Sequence, residues 1–499
     1  MSGSRTSKVL ALSFGRVLTT LVALASGMVM ARVLSQTDLA TYRQTMLAYD
    51  VAIPLLSLGV DSGLYYFLPT EKSRARGLVV DGLLLMVGMG LLYAVFIALG
   101  GNHLLARRFS NPAIVSTLAF LVPLPIIMLP AKLLSSVMVV QNQVQKLTVY
   151  NVLTSLLLAT SVIAACWAWK SPDSMVLARV GASVVSGAVA IWLIFQAVPA
   201  DSWRPSFASM QKMVAYSIPL VGASALGSIH LQLDKLIVSS MCRPEQFAVY
   251  SNGAIEIPLI GIVTASISTI ILPDMRKMIA AGNRTAAIGL FRQAASKSAA
   301  IIFPVMAFLM VSAESFIVTL FSSKYSGSVL PFQIYLLLLP VRIVNYGAIL
   351  MALGKTRTIL NRSFAGLVAN LFLSILLVRW IGFIGAIIST VLCIYFVNCA
   401  WNFAAISDAV GCRWWQVLPF GELAQMAWPS AVAAIPVWAL RAFLAGYPPF
   451  GQLLVNGIVF TAALVGIATV FQVAPFLAEA RQAGKMLQSR LRLGGRARP

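Results

Sequence analysis

Fourteen long apolar runs divide this chain and limit, more than any other feature, what it can fold into. Each holds 20 or more residues, and they lie at 9–34, 42–68, 78–99, 113–140, 147–169, 174–198, 214–242, 246–273, 298–321, 327–353, 358–379, 382–407, 423–445 and 451–476. A helix of that length, rising about 1.5 Å per residue, crosses a bilayer core roughly 30 Å thick. Only 10% of the residues are charged, whereas a soluble domain carries about 25%. The pattern predicts an all-α polytopic membrane protein with about 14 transmembrane helices.

The chain has a formal charge of +22. The distribution of its basic residues predicts how the chain is oriented in the membrane and does not indicate a nucleic-acid partner. Lys and Arg residues concentrate in alternate short loops, and the sequence has no basic stripe interleaved with aromatic residues. The segments that include both termini carry more than twice as many basic residues as the opposite set. By the positive-inside rule, both termini are predicted to be cytoplasmic. Basic stretches at 274–297 and 478–499 are expected to lie against anionic lipid head groups.

Three short segments recur in the same order at nearly constant spacing, which predicts an internal duplication of the kind common in transporters. Residues 40–42 match 248–250 at an offset of 208, residues 53–55 match 257–259 at 204, and residues 129–132 match 339–342 at 210. The predicted organisation is an N-terminal lobe at 1–200 with helices 1–6, a cytoplasmic interfacial linker at 201–213, a C-terminal lobe at 214–410 with helices 7–12, two further helices at 411–477 and a basic cytoplasmic tail at 478–499.

Two segments resemble signatures of a known family. Residues 31–42, which read ARVLSQTDLATY, resemble the pattern ARxLxxxxxGxY of polysaccharide transporters, and residues 234–250 resemble their pattern DKxxIxxxxxxxxxGxY. Ala40 and Ala248 stand where the family prefers glycine. These transporters belong to the multidrug/oligosaccharidyl-lipid/polysaccharide flippase superfamily, whose six-helix lobes and two extra helices match the predicted organisation. The resemblance covers roughly residues 8–410.

The resemblance implies a function and a set of partners. It implies a Wzx-type flippase, which moves an undecaprenyl-diphosphate-linked oligosaccharide repeat unit across the bacterial inner membrane by alternating access. The product pathway would be exopolysaccharide or O-antigen biosynthesis. The expected partners are the lipid-linked glycan, membrane lipids and other polysaccharide assembly proteins.

Charged residues inside the predicted helices are candidate functional groups, because a charge near the bilayer centre is costly unless it contacts protein, water or substrate. The ionisable residues that lie well inside the predicted helices are, in chain order, Arg16, Asp50, Asp61, Lys132, His230, Asp234, Lys235, Glu256, Glu314 and Arg342. Cations suit a lipid diphosphate, since they offset its desolvation and Arg adds bidentate contacts. Arg342, Lys132 and Arg16 are therefore predicted to line a cationic substrate cavity. Snorkelling to the head groups is the alternative role for these cations.

The acidic candidates predict a second role, coupling to an ion gradient. Asp234 with His230, Glu256 and Asp61 are the candidates for binding H⁺ or Na⁺, and His230 lies one helical turn before Asp234. A structural salt bridge to a nearby cation is the alternative role for Asp234 and Glu256. No other cofactor and no metal are expected, because the two histidines and five cysteines lack metal-binding spacing.

Three other functions are alternatives to the flippase. A multidrug or cation antiporter of the same fold predicts a cavity dominated by acids and aromatic residues. A lipid II flippase shares the helix plan and the charge of the cargo. A membrane glycan polymerase or ligase is the enzyme alternative, but such enzymes usually carry a long periplasmic loop, and the longest predicted here is residues 100–112. The residues therefore favour a transporter and not an enzyme.

Overall fold

The computed structural model describes residues 5–199 and 203–473, and every regular element in these ranges is a helix. The first half of the chain forms α1 (Arg5–Val33), α2 (Gln36–Leu56), α3 (Val60–Phe67), α4 (Ala75–Phe96), α5 (Asn102–Arg108), α6 (Ile114–Leu121), α7 (Pro123–Val140), α8 (Val144–Trp169), α9 (Pro172–Ala197) and α10 (Phe207–Met241). The second half forms α11 (Pro244–Gly253), α12 (Pro258–Ala280), α13 (Arg284–Val311), α14 (Ala313–Phe321), α15 (Val329–Leu336), α16 (Tyr346–Ala352), α17 (Thr356–Ile381), α18 (Ile384–Leu392), α19 (Ala400–Val410), α20 (Phe420–Leu444) and α21 (Pro449–Val470).

Ten helical stretches in the described part of the chain are long and apolar enough to cross a membrane. They are Gln36–Phe67, Ala75–Arg108, Pro123–Val140, Val144–Trp169, Pro172–Ala197, Arg284–Val311, Arg357–Ile381, Ile384–Val410, Phe420–Leu444 and Pro449–Val470. These stretches correspond to predicted helices 2–6, 9 and 11–14. The all-helical, multi-pass architecture is confirmed, while the count of 14 and the two repeated lobes stay predictions.

Two of the other predicted spans are interrupted by backbone that is not α-helical. In predicted span 8, α11 ends at Gly253 and α12 starts at Pro258, after Ile257 in extended conformation (φ −80°, ψ 110°). In predicted span 10, a short 3₁₀ segment at Leu339–Ile343 separates α15 from α16. A proline lies at the beginning of the helical segment in each break, Pro258 in one and Pro340 in the other, and proline lacks an N–H and disfavours helical geometry in the preceding residue.

The described chain divides into two compact units. Among the described residues, unit 1 comprises 5–199, 203–251 and 367–389, and unit 2 comprises 252–366 and 390–473. In unit 1, α4, α7 and α9 pack around an apolar core that includes Leu64, Met86 and Leu129. Gly90 permits the approach of α4 to α7, since a Cβ atom there would lie 2.6 Å from the backbone Cα of Ile126. Small residues are the usual means by which membrane helices pack closely.

In unit 2, α13 packs against α12 and α20, and α20 packs against α21. The basic segment at 274–297 forms the end of α12 and the beginning of α13, and its contact with lipid head groups stays a prediction. Two of its arginines bind backbone carbonyls. Arg284 donates to the Ala409 oxygen at 2.7 Å, and Arg292 donates to the Gln416 oxygen. The basic tail at 478–499 and the linker residues 201–202 lie outside the described residues.

A buried ion pair in unit 1 attaches the end of the linker to α4. Asp81 is fully buried, and its carboxylate lies 2.9 Å from the Arg74 guanidinium. The same carboxylate accepts a hydrogen bond from the Ser206 N–H at 2.8 Å, and Arg74 donates to the Arg204 carbonyl at 3.0 Å. Ser206 is also the N-cap of α10. The pair therefore fixes the place where α10 begins.

We predict that Asp81→Asn destabilises the protein by about 3 kcal/mol, because removal of one partner leaves a partly buried cation uncompensated. Thermal unfolding of the purified protein in detergent measures the effect. The matched control is Asp274→Asn, whose partner Lys277 is exposed and 3.4 Å away, and which should change stability by less than about 1 kcal/mol. Equal unfolding temperatures for the two variants would contradict a structural role for the buried pair.

Candidate functional site

Unit 1 contains two adjoining clefts that share Asn151, Thr154 and Arg179, and together we call them the Arg179 cleft. The larger, about 420 Å³, is bounded by α1, α2, α8 and α9. The smaller, about 310 Å³, is bounded by α2, α7, α8 and α9 and is lined by Lys132 and Tyr49. All of these helices except α1 belong to stretches that can cross a membrane. The clefts therefore place polar and charged groups at membrane depth.

Arg179 is the cation that both clefts share. Its guanidinium forms a hydrogen bond with the Tyr42 hydroxyl and interacts electrostatically with the carboxylate of Asp50. Asp50 lines the larger cleft and is also attracted by Lys235 of α10. Arg179 is half-buried in this arrangement. It is thus held by groups from α2, and it lines both parts of the cleft.

Depth in the sequence does not select Arg179, because it lies only five residues inside the predicted run 174–198, at the end opposite the predicted cytoplasmic face. In the structure it lies seven residues after Pro172, the first residue of α9. Seven residues of helix correspond to about 10 Å of depth. That depth, together with the apolar residues Met175, Val176 and Leu177 that precede Arg179 on the helix, is the sequence signal that identifies it.

Lys132, predicted to bind substrate, is exposed within the smaller part of the Arg179 cleft. Asp61, predicted to couple to an ion, attracts it electrostatically. The two helices that carry them are joined by Ser136, which donates to the Asp61 carbonyl at 2.9 Å. The structure therefore brings together one predicted cation and one predicted acid of unit 1.

In unit 2 the structure likewise brings together a predicted cation, Arg342, and a predicted acid, Glu256. Their side chains are 2.7 Å apart, with the Arg342 side chain 32% exposed and that of Glu256 58% exposed. The Tyr335 hydroxyl donates to the same carboxylate at 3.4 Å, and its ring centroid lies 5.8 Å from the guanidinium carbon. An ion pair this exposed contributes about 0–1 kcal/mol. Arg342 can therefore exchange Glu256 for another anion at small energetic cost.

Lys132 and Arg342 occupy matching positions of the predicted repeat, but the backbone around them differs. Lys132 lies within the continuous helix α7, which contains Pro130. Arg342 lies in the 3₁₀ segment Leu339–Ile343, and Val344 after it is extended (φ −136°, ψ 157°). Thr264 of α12 supports the break, since its hydroxyl donates to the Arg342 carbonyl at 2.8 Å. The matching sequence positions thus have different local structures.

The remaining predicted residues lie in other environments. Asp234 is buried, and its carboxylate accepts a hydrogen bond from the Tyr250 hydroxyl at 2.6 Å. His230 is half-buried one turn earlier on α10. Glu314 pairs with Arg441 at 2.7 Å in unit 2. The backbone of Arg16 belongs to α1, but its side chain lies outside the described part of the structure.

The residues of the two family-like segments have related roles. Ala40 and Ala248, which replace glycine, are both fully buried, so a small side chain is required there. The two tyrosines that end the segments each bind an ionic group, Tyr42 to Arg179 and Tyr250 to Asp234. Burial of a charge is tolerated when such hydrogen bonds satisfy it.

Helices α2 and α11 meet through residues that are themselves related by the repeat offset of 208. The Thr37 hydroxyl donates to Glu245 at 2.9 Å, and Arg43 donates to the Ser251 hydroxyl at 2.6 Å. Below this layer, Gln44 donates to Ser239 at 2.9 Å. We name these three hydrogen bonds the α2–α10/α11 contact.

Known proteins with similar structures share this helix arrangement. The inward closed conformation of the lipid II flippase MurJ superposes with a TM-score of 0.73 at 14% identity, covering 93% of this chain and 98% of that one. An inward-facing multidrug resistance MATE family transporter of the MOP superfamily gives 0.54 at 15% identity, with 84% and 98% covered. The bent form of the Vibrio cholerae MATE transporter VcmN gives 0.52 at 12% identity, with 81% and 97% covered. The fold is therefore that of the MurJ and MATE transporters.

Sequence comparison identifies the family more directly. A search of curated proteins found no match. The sequence model of the family described as polysaccharide biosynthesis protein matches residues 13–330, which include the Arg179 cleft and both family-like segments. On this evidence the chain belongs to the polysaccharide biosynthesis protein family, a family of membrane transporters and flippases.

Proposed function

We propose that this protein is a flippase that moves an undecaprenyl-diphosphate-linked oligosaccharide repeat unit across the bacterial inner membrane by alternating access. The observation that carries the proposal is the Arg179 cleft, in which Arg179 and Lys132 present cationic groups at membrane depth. A lipid diphosphate concentrates negative charge that is costly to remove from water. Fixed cations in a polar cleft reduce that cost.

The cations of the two units are suited to a mobile anionic cargo. Two of the three predicted cations have an acidic neighbour, Asp61 for Lys132 and Glu256 for Arg342. When cargo is absent, these acids compensate the cations. When a diphosphate arrives it replaces them, and Arg342 adds the bidentate geometry that a guanidinium offers to phosphate. The acid released from its partner is then the group that binds H⁺ or Na⁺ and couples transport to an ion gradient.

This scheme predicts that Glu256→Gln separates binding from transport. Cargo binding should be retained or strengthened by up to about fivefold, because a competing ion pair worth up to about 1 kcal/mol is removed. Transport should fall because the released acid is missing. Equilibrium binding of a lipid-linked oligosaccharide and its translocation by the same preparation measure the two effects. Loss of binding and transport together would contradict the scheme.

The experiment in cells compares a strain that lacks the protein with one that expresses it. We expect the lipid-linked repeat unit to accumulate on the cytoplasmic side in the deletion strain, and surface polysaccharide to return on complementation. A second arm asks whether the protein sustains growth when the cell's own lipid II flippase is depleted. Growth in this second arm would assign the cargo to lipid II. Normal export of surface polysaccharide by the deletion strain would refute the proposed flippase function.

A cation antiporter is the second candidate, and Asp50 is the residue that favours it. Its carboxylate lines the larger part of the Arg179 cleft and suits a cationic drug. However, Arg179 and Lys235 both act on that carboxylate electrostatically, and they would repel a cation. Efflux of a cationic dye that depends on Asp50 and not on Lys132 would favour the antiporter.

A further inference from the structure

An apolar groove of about 550 Å³ lies between α8 and α9. Tyr150 and Thr154 line both this groove and the Arg179 cleft, and they therefore form the wall between the two. Its walls include Val149, Leu153 and Val185, whose side chains are 58%, 60% and 55% exposed. Both helices are long and apolar enough to cross a membrane. The groove therefore opens toward lipid.

The length of the groove fits a lipid chain of one leaflet. Along α8 its lining extends from Gln145 to Leu157, which is about 18 Å of helix. Half of a bilayer core is about 15 Å thick. The polyprenyl chain of the proposed cargo is much longer than this, so the dimensions favour an ordinary phospholipid.

The charge at one end of the groove indicates which phospholipid it is. Lys146 is exposed there, two residues after α8 begins, and it lies at the predicted cytoplasmic end of the helix. The surface that faces into the groove is nearly all apolar, although Gln145, Thr154 and Ser186 also line it. A single cation above an apolar channel complements a phosphate above an acyl chain. Anionic phospholipids are concentrated in the cytoplasmic leaflet.

We infer that this groove binds one anionic phospholipid of the bilayer, with an acyl chain between α8 and α9 and its phosphate beside Lys146. Tyr150 connects the lipid to the transport site. It lines both the groove and the Arg179 cleft, and its hydroxyl donates to the Ser186 carbonyl of α9 at 3.1 Å. The bound lipid thereby supports the wall of the cleft.

Photolabelling of the purified full-length protein in nanodiscs tests the site. The probes are phosphatidylglycerol and phosphatidylcholine that carry a diazirine in one acyl chain, and labelled peptides are mapped by mass spectrometry. Labelling by phosphatidylglycerol should map to residues 144–157 and 185–193 and exceed that by phosphatidylcholine. Lys146→Gln should lower the preference for the anionic lipid about fivefold, since one basic residue near the surface contributes about 1 kcal/mol.

Matched variants separate the groove from general lipid contact. Leu153→Trp fills the groove and should abolish labelling, whereas Leu156→Trp, on an exposed residue of α8 outside the groove, should not. Lys170→Gln at the other end of α8 should keep the anionic preference. Unchanged labelling in Leu153→Trp would overturn the inference. So would displacement of the label by lipid-linked oligosaccharide, which would assign the groove to cargo.

Discussion

Replacing Lys132 and Arg342 together by glutamine should abolish export of surface polysaccharide and cause lipid-linked precursor to accumulate inside the cell. Each cation is proposed to form charge-assisted hydrogen bonds with the diphosphate, worth about 1.5–3 kcal/mol apiece. Loss of both should lower transport by at least about 100-fold. Quantification of exported polymer and of membrane precursor, at matched protein levels, measures the result.

The control for this pair carries the same change in charge. Lys170 is exposed at the end of α8, and Arg441 forms an exposed pair with Glu314. The double variant Lys170→Gln/Arg441→Gln should export polymer normally. If the Lys132/Arg342 variant also exported polymer normally, neither residue would have the cargo-binding role proposed for it.

Cross-linking α2 to α11 should stop transport reversibly. The α2–α10/α11 contact joins segments of the two predicted repeats, on the side opposite the predicted cytoplasmic face. Alternating access requires such a contact to open once in each cycle. A short bifunctional thiosulfonate applied to Thr37→Cys/Glu245→Cys should reduce transport to background, and reducing agent should restore it. The background needs Cys242→Ser, because that cysteine lies three residues from position 245.

A second cross-link provides the control. Ser116 of α6 donates to Asp173 of α9 at 2.9 Å, within the first predicted repeat. Cysteines at these two positions, joined by the same reagent, should leave transport intact because α6 and α9 are proposed to move together. Full activity of the cross-linked Thr37/Glu245 pair would show that the contact does not open during transport.

The helices were predictable because a chain in lipid must satisfy its backbone hydrogen bonds internally. The predicted runs at 147–169 and 423–445 correspond closely to α8 and α20. The breaks were less predictable. Pro54 lies inside α2 and Pro130 inside α7, whereas the matching Pro258 and Pro340 begin helical segments. Proline removes one N–H in every case, and neighbouring groups decide whether the helix continues.

The candidate site was predictable in part. Depth in a helix selected Lys132 and Arg342, and the structure places one in a cleft and the other in an exposed cluster. Their partners were not predictable, because Glu256 and Arg342 are 86 residues apart and pairing depends on how the helices pack. The alternative considered for Glu256, a salt bridge to a nearby cation, is the arrangement observed. Its role in ion coupling remains a prediction.

Translocation in proteoliposomes tests the central claim most directly. Purified protein is reconstituted with an undecaprenyl-diphosphate-linked oligosaccharide that is initially confined to one leaflet, and a glycan-binding lectin outside the vesicles reports its appearance on the other side. We expect transfer that depends on the protein and is lost in Lys132→Gln/Arg342→Gln. Two results would contradict the account. One is transfer by the unmodified protein that only equals that of protein-free vesicles, and the other is transfer by the double variant that equals that of the unmodified protein.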